Sequence, residues 1–168
     1  MQEECVRAER YRAGASVVRL LVGIDHYPGT WSNFGDYAAW KPLEILLRRI
    51  NDPDDPWYGK SAAIMETGFS TWHETEATQA DQVEWIRTSL SEVWRQAVHN
   101  NPCRKHDLVA LNYYQLIDDE NPPTEPEGRK IPQERHFGVW NADLEPKAGW
   151  GPLKTKIAEF RGAACAKP

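Results

Sequence analysis

One glutamate stands where a short apolar run ends in the middle of the chain. Residues 61–65 read Ser-Ala-Ala-Ile-Met, Glu66 follows them, and Gly68 comes two positions later. A short apolar run bounded by turn residues is typical of a buried parallel strand. A carboxylate at the end of such a strand is costly to bury unless it is paired or used. Ligands collect at this end of parallel strands, so Glu66 is either a functional carboxylate or a partly solvated strand-end side chain.

Two further apolar runs, at residues 17–25 and 108–116, also end in polar and aromatic side chains. The side chains at these ends are His26, Tyr27, Tyr113 and Tyr114. In a parallel sheet the carboxyl ends of the strands lie on one face, so we expect these residues to meet Glu66 there. Such a set suits a saccharide, because carboxylates perform glycosidic chemistry and aromatic faces stack on sugar rings.

Helical patterns separate the three predicted strands. One apolar stripe at helical spacing consists of Leu43, Leu46, Leu47 and Ile50. A second stripe, between residues 75 and 100, includes Trp94, which we therefore assign to the core. Predicted helices cover residues 2–13, 42–50, 75–100 and 152–161, with Gly162 capping the last and a short strand and turn at 136–143 before it. The alternation predicts an α/β fold with a parallel sheet, in which the near-continuous apolar run at 17–25 is buried on both faces.

The composition limits the class of protein. The chain has 168 residues, of which 40% are hydrophobic and 27% charged, as in one folded globular domain. A net charge of −5 argues against nucleic acid or an anionic membrane as a partner. No apolar run approaches the ~20 residues of a membrane span, and the first residues lack the apolar core of a signal peptide. The localisation stays open.

Metal and cofactor motifs are lacking in the sequence. The three cysteines are widely spaced without a C-x-x-C pair, His73-Glu74 has no second histidine at metalloprotease spacing, and no glycine-rich phosphate loop occurs. We therefore expect no metal and no cofactor. The acidic cluster Asp118, Asp119 and Glu120 opens a loop rich in proline and glutamate, and we interpret it as solvated, without chemistry.

Eight tryptophans are a high number for a chain of this length. Trp31 and Trp72 lie in loops just beyond predicted strand ends. We favour both as residues that stack on a sugar, and the alternative is that they pack the loops.

The order of these segments resembles the C-terminal part of clan A retaining glycoside hydrolases, whose catalytic domain is a (β/α)8 (TIM) barrel. The segment Glu66-Thr-Gly-Phe-Ser-Thr71 resembles the end of barrel strand seven, where the glutamate is the nucleophile. The segment Asp25-His-Tyr-Pro-Gly29 resembles the end of strand six, where a tyrosine hydrogen-bonds that glutamate. Residues 113–118 resemble the end of strand eight, and residues 136–138 with 146–148 resemble the segment after it.

The resemblance runs from about residue 17 to residue 160. It implies an α/β fold that is a partial TIM barrel, the last three or so βα units, occupying residues 1–161 before a tail at 162–168. It also implies double displacement, with Glu66 as nucleophile, Tyr27 as the residue that aims it, and an oligo- or polysaccharide as substrate. The substrate-binding residues would be His26, Trp31, Trp72, Tyr113 and Tyr114.

The chain departs from this family in two places. The tryptophan usual at the end of strand eight is replaced by Asn112-Tyr113, so stacking would fall to Tyr113 or Tyr114. The proton donor at the end of strand four is typically part of an Asn-Glu dipeptide, and this chain has none. By the family's register the first four or five strands are missing. We expect a barrel fragment that is inactive alone and whose open sheet edges favour self-association.

Two other functions stay open. A non-catalytic carbohydrate-binding or assembly half-barrel would use the same aromatic face without turnover. An unrelated parallel α/β domain, such as a metal-dependent hydrolase, would need clustered Asp and His at strand ends, and only Asp25-His26 offers that. A hydrogen bond between Tyr27 and Glu66 would favour the glycosidase interpretation.

Overall fold

The computed structural model describes residues 21–32, 35–72, 77–99, 108–119 and 131–164. Its three strands are β1 (Leu21–Asp25), β2 (Ser61–Thr67) and β3 (Leu108–Tyr113). Both strand pairs are parallel, and the sheet order is β1-β2-β3. The predicted α/β class with a parallel sheet is therefore confirmed. The predicted helix at 2–13, the start of the first strand and the three cysteines lie outside the described residues.

Three α-helices accompany the sheet: α1 (Lys41–Asn51), α2 (Gln79–Trp94) and α3 (Trp150–Ala164). Helix α1 has proline in its first turn, and its apolar stripe is buried at Leu43, Leu46 and Ile50. Helix α2 begins at a capping box, in which Thr78 Oγ1 accepts from Asp81 N and Asp81 Oδ2 accepts from Thr78 N. A π-helical turn follows α2 at Arg95–His99, and a short 3-10 helix covers Pro132–His136.

The core lies between the sheet and the helices. One group of buried side chains consists of Trp40, Leu43, Ile64 and Val93, and a second of Phe69, Trp85, Ile86, Leu90, Val139 and Leu153. Two tryptophans also donate buried hydrogen bonds, from Trp85 Nε1 to the Pro28 carbonyl oxygen at 2.6 Å and from Trp40 Nε1 to Ser89 Oγ at 2.7 Å. The Trp85 bond fixes the turn that follows β1. Trp94 packs on α3, with its ring 5.1 Å from that of Phe160.

Strand β1 is not buried on both faces, contrary to the prediction. Its side chains alternate between exposed and partly buried positions, and Leu21 is 45% exposed. Among the described strands β1 pairs with β2 only, and α1 packs against Val22 and Ile24. The middle strand β2 holds the fully buried residues Ala62–Ile64. Within the described part of the chain, β1 and β3 each pair on one side only, which fits the expected self-association; that self-association stays a prediction.

Two predictions near the end of the chain are wrong. Helix α3 continues through Gly162 to Ala164, so this glycine is inside the helix and does not cap it. The two alanines that follow are strong helix formers and offset the weak preference of glycine. The predicted strand at 136–140 is instead the end of the 3-10 helix and a stretch in which Trp140 forms single bridges with Ile117 and Pro146. None of the described helices combines the length and apolarity that a membrane crossing requires.

Candidate active site

Tyr27 and Glu66 meet at the carboxyl ends of neighbouring strands. The Tyr27 hydroxyl donates to Glu66 Oε2 at 2.7 Å. The register of the sheet produces this contact, because Asp25 pairs with Glu66 and His26 N donates to the Glu66 carbonyl oxygen at 3.0 Å. Glu66 is exposed, whereas Ala62, Ala63 and Ile64 earlier in β2 are buried. The two residues that the sequence places together are thus together, with the carboxylate open to a ligand.

Tyr27 is a permanent hydrogen-bond donor. Burial raises its pKa, and the hydrogen bond to Glu66 and the charge of that carboxylate raise the pKa further. The phenol therefore keeps its proton throughout the physiological pH range. A neutral donor of this kind orients a carboxylate without neutralising its charge.

Aromatic rings surround this pair. The buried Phe137 ring lies 5.4 Å from the rings of Tyr27 and Tyr114, in edge contacts, and 6.1 Å from the tilted ring of Trp31. We call these four residues the aromatic wall. Trp31 is 43% exposed, so part of its surface is available to stack on a flat ligand. Phe137 was not predicted as part of the site, although the segment that contains it was singled out.

Glu134 is a second carboxyl group at this site, and sequence reasoning missed it. It lies partly buried on the short 3-10 helix, and the Tyr114 hydroxyl is among the groups that act on its pKa. Burial raises the pKa of Glu134, the Tyr114 bond opposes this, and the charges of Glu66 and Asp119 raise the pKa further. Burial and the bond to Glu134 raise the pKa of Tyr114 to about 12. Two tyrosine–carboxyl pairs, Tyr27–Glu66 and Tyr114–Glu134, therefore lie close together.

The backbone that carries Glu134 is held from two sides. Ser70 Oγ donates to the Gln133 carbonyl oxygen at 2.8 Å, and Gln115 Nε2 donates to the Glu134 carbonyl oxygen at 3.2 Å. Ser70 follows β2 and Gln115 follows β3, so both strands that end at the site also hold this helix. The sequence offered no local signal for Glu134, because it stands in a segment rich in proline and glutamate that is typical of a solvated loop.

A buried ion pair lies behind the aromatic wall. Lys147 Nζ is 3.0 and 3.1 Å from the two carboxylate oxygens of Asp118, 3.0 Å from Thr71 Oγ1 and 3.2 Å from the His136 carbonyl oxygen. The side chains of Lys147 and Asp118 are 6% and 13% exposed, so the interpretation of Asp118 as solvated is wrong. Burial lowers the pKa of Lys147, and Asp118 opposes this. Asp118 Oδ1 also accepts from Gly138 N at 2.8 Å, which fixes the chain just after Phe137.

His26 and Trp72 lie next to the site but already have partners. His26 Nε2 is 2.6 Å from the Ala39 carbonyl oxygen, and its ring meets the Trp40 ring edge-on at 5.1 Å. Trp72 stacks on His136 at 5.0 Å. Both side chains therefore help to order loops, and their contact with a sugar stays a prediction.

Tyr113 is not brought to Glu66. Its ring packs in the core against Trp85 at 6.0 Å, and burial raises the pKa of its hydroxyl. Side chains alternate along a strand, so Tyr113 and the next residue, Tyr114, point to opposite sides. Of the two tyrosines predicted for stacking, the structure brings Tyr114 to the site.

A cavity of about 270 Å³ adjoins the aromatic wall. Trp31 and Gln133 line it together with Tyr37, Phe69 and Ser70, and neither Glu66 nor Tyr27 is part of its lining. Glu66 is thus exposed and lies outside this cavity. Within the described residues, no group of three or more His, Cys, Asp or Glu side chains is arranged to hold a metal ion.

Comparison with known proteins gives similarity in fold to solved structures. No protein-family model and no curated protein matches the chain. A GH2 β-galacturonidase from Eisenbergiella tayi bound to galacturonate matches with a TM-score of 0.59 and 16% identity, over 83% of this chain and 23% of that one. A Bifidobacterium dentium β-glucuronidase complexed with coumarin-3-O-glucuronide matches with a TM-score of 0.55 and 20% identity, over 82% and 20%. A Faecalibacterium prausnitzii β-glucuronidase gives 0.53 and 20%, over 83% and 22%.

These relatives define the fold as one found within glycoside hydrolases. Glycoside hydrolases are also the class that the sequence resembles. The particular fold relatives are a GH2 β-galacturonidase and β-glucuronidases. The chain spans about a fifth of their length.

Proposed function

We propose that this chain is part of the catalytic domain of a retaining glycosidase and that Glu66 is its nucleophile. The observation that carries the proposal is the 2.7 Å hydrogen bond from Tyr27 to Glu66 at the ends of adjoining parallel strands. The fold shared with glycosidases and the aromatic wall beside the carboxylate support it. In this proposal β1, β2 and β3 are the last three strands of a (β/α)8 barrel.

The proposed reaction is a double displacement. Glu66 attacks the anomeric carbon, the bond from that carbon to the leaving oxygen breaks, and an acid gives the leaving oxygen its proton. Water then attacks the glycosyl ester, the same acid acting now as base, and Glu66 is released. Because Tyr27 occupies Oε2, Glu66 Oε1 is the oxygen that attacks.

None of the described residues is assigned as the acid/base residue of this reaction. Retaining enzymes need a second carboxyl group about 5–5.5 Å from the nucleophile. The family resemblance puts that group at the end of barrel strand four, which is none of the three described strands. The substrate is an oligo- or polysaccharide, with Trp31 and Tyr114 as the rings that contact a sugar and Trp72 and His26 as further contacts.

The test is hydrolysis of aryl β-glycosides by the chain and by any longer product of its gene. We expect Glu66→Gln to lower activity at least about a thousandfold, because it removes the nucleophile. Glu44→Gln, an exposed change on α1, is the matched control and should leave activity unchanged. A 2-fluoro glycoside should also trap an ester on Glu66 that mass spectrometry detects. Activity that survives Glu66→Gln, or a trapped ester on another residue, would reject the proposal.

A non-catalytic carbohydrate-binding domain is the second candidate. The aromatic wall needs no acid/base residue to bind a sugar, and the chain spans only about a fifth of the length of its glycosidase relatives. Sugar binding without turnover by the longest gene product would favour this candidate.

A further inference from the structure

Three buried side chains with hydrogen-bonding groups lie on one face of helix α2. Gln82, Trp85 and Ser89 are fully buried and follow helical spacing, so they point to the same side. This face is turned to the segments that follow the strands: Trp85 Nε1 donates to the Pro28 carbonyl oxygen, and Ser89 Oγ accepts from Trp40 Nε1. Helix α2 therefore holds these segments through directed hydrogen bonds as well as through apolar packing.

Gln82 holds two segments of the candidate site at once. Its Nε2 lies 3.1 Å from the Phe69 carbonyl oxygen, 3.0 Å from that of Gly138 and 3.4 Å from that of Phe137. Carbonyl oxygens accept hydrogen bonds and cannot donate them, so the amide nitrogen has to face all three. Phe69 stands three residues after Glu66, and Phe137 with Gly138 belongs to the segment after β3. The amide thus ties the segment beyond Glu66 to the one that carries the centre of the aromatic wall.

Phe137 transmits this constraint to Tyr27. Gly138 N donates to Asp118 Oδ1 at 2.8 Å, so the backbone just after Phe137 is held by Asp118 as well as by Gln82. The Phe137 ring is fully buried and lies 5.4 Å from the Tyr27 ring in an edge contact. Hydrogen bonds weaken steeply when their distance and angle depart from the preferred values. A shift of the Phe137 ring would therefore weaken the 2.7 Å bond that the Tyr27 hydroxyl donates at the site.

We propose that Gln82 is a positioning residue for the Tyr27–Glu66 pair. Because its side chain is fully buried, it acts through Phe137 and Phe69 and not on a ligand itself. All the contacts that carry the inference are formed within this chain. Its kinetic consequence rests on the proposed function, since the orientation of Glu66 governs a reaction only if Glu66 is the nucleophile.

The first test follows the Tyr27 hydroxyl by NMR of the chain made with ¹³Cζ-labelled tyrosine. The Tyr27 signal is the one missing in Tyr27→Phe, and Glu66→Ala shows where it lies when the carboxylate is absent. Gln82→Met keeps a side chain of similar length but removes both donors, so we expect the Tyr27 signal to move toward its position in Glu66→Ala. Ser89→Ala is the matched control, because it removes a buried hydrogen bond from the same face of α2 and should leave the Tyr27 signal in place.

The second test is a double-mutant cycle in the hydrolysis assay, with the gene product that turns over aryl β-glycosides. We expect Gln82→Met alone to lower kcat at least about fivefold with little change in KM, since the orientation of the nucleophile is lost. In the Tyr27→Phe background the same change should lower kcat by less than about twofold, because the bond that it protects is already gone. Ser89→Ala should act equally in both backgrounds, as a purely structural change does.

The outcomes separate this inference from the proposed function. An unmoved Tyr27 signal in folded Gln82→Met, or equal kinetic effects of that change with and without the Tyr27 hydroxyl, would overturn the inference. If Gln82→Met does not fold, Gln82→Asn takes its place, because it keeps the amide but withdraws it from the carbonyl oxygens by one methylene group. A Tyr27 signal that moves as expected, in gene products that hydrolyse no glycoside, would reject the proposed function and leave Gln82 as the residue that holds Tyr27 on Glu66.

Discussion

Two carboxylates at the carboxyl ends of neighbouring strands have opposite environments. Glu66, at the end of β2, is exposed and receives a hydrogen bond from a neutral tyrosine. Asp118, shortly after β3, is 13% exposed and paired with the buried Lys147. A carboxylate that is paired with a buried cation is part of the scaffold, and one that is exposed with a neutral donor keeps its charge for a ligand. The partner, and not the residue type or its place after a strand, decides between the two.

The largest loss of stability is expected when the buried carboxylate, Asp118, loses its cation. Lys147→Met leaves the Asp118 carboxylate buried without its cation, so we expect the free energy of unfolding to fall by about 3–5 kcal/mol. Lys41→Met is the matched control: Lys41 and Glu44 form an ion pair with side chains 68% and 56% exposed, and its loss should cost less than about 1 kcal/mol. Denaturant unfolding of the two variants measures both values. Equal losses would contradict the structural role of the buried pair.

The second prediction concerns the connection between β2 and the aromatic wall. A Cβ atom at Gly68 would overlap the Tyr114 carbonyl group and come within 3.1 Å of the Phe137 ring. Gly68→Ala should therefore destabilise the fold by about 1–3 kcal/mol and displace Tyr114. Gly151→Ala is its control, because open space surrounds that position in α3 and alanine favours a helix there. Thermal unfolding of both variants should give shifts of opposite sign, and a harmless Gly68→Ala would show that the contact is not tight.

The structural features that could be predicted from the sequence depend on residues that are close together in the chain. Apolar runs and helical stripes located the three strands and helices α1 and α2, and the end of the apolar run located Glu66. The partners of the two carboxylates come from distant segments: Tyr27 is 39 residues from Glu66, and Lys147 is 29 residues from Asp118. Tyr27 could be predicted because strand ends in a parallel sheet share one face. Lys147 follows no such rule, so its pairing became visible only in the folded chain.

The failures in the candidate site have the same origin. The side to which Tyr113 points depends on where β3 ends, and a shift of one residue exchanges Tyr113 and Tyr114. Glu134 reaches the site because Ser70 and Gln115 hold the 3-10 helix against the strand ends. No pattern within the segment itself indicates that contact.

The third prediction concerns the hydrogen bond that the neutral Tyr27 hydroxyl donates to Glu66. Tyr27→Phe deletes a hydrogen bond to an exposed carboxylate, so the loss of stability should stay below about 1.5 kcal/mol. In the proposed function the same change should lower kcat/KM by at least about tenfold, since Glu66 is no longer held in its attacking orientation. Unfolding and kinetics on one preparation give the two values. A stability loss as large as that of Lys147→Met would remove the distinction between the two carboxylates.

The smallest effect on stability is expected from the titration of Glu134, whose burial lies between that of the exposed Glu66 and that of the paired Asp118. Burial raises its pKa, so the native state holds this proton more tightly than the unfolded chain, whose glutamates titrate near pH ~4.3. Stability therefore falls as the pH rises from the unfolded value through the raised native value, and below that window both states are protonated and the penalty vanishes. Glu134→Gln should stabilise the protein above the window by less than about 1 kcal/mol, because solvent screens this partly buried group.

Tyr114→Phe supplies the complementary test of this titration. The Tyr114 hydrogen bond lowers the pKa of Glu134 against the effect of burial, so its removal should raise that pKa further and deepen the loss of stability with rising pH. The free energy of unfolding of the parent and both variants, followed from pH ~4 to ~7, gives the comparison. If the difference between Glu134→Gln and the parent does not change with pH, Glu134 is solvated in the way that Asp118 was expected to be. A difference that grows with pH means that burial raises the pKa of Glu134 in the folded chain.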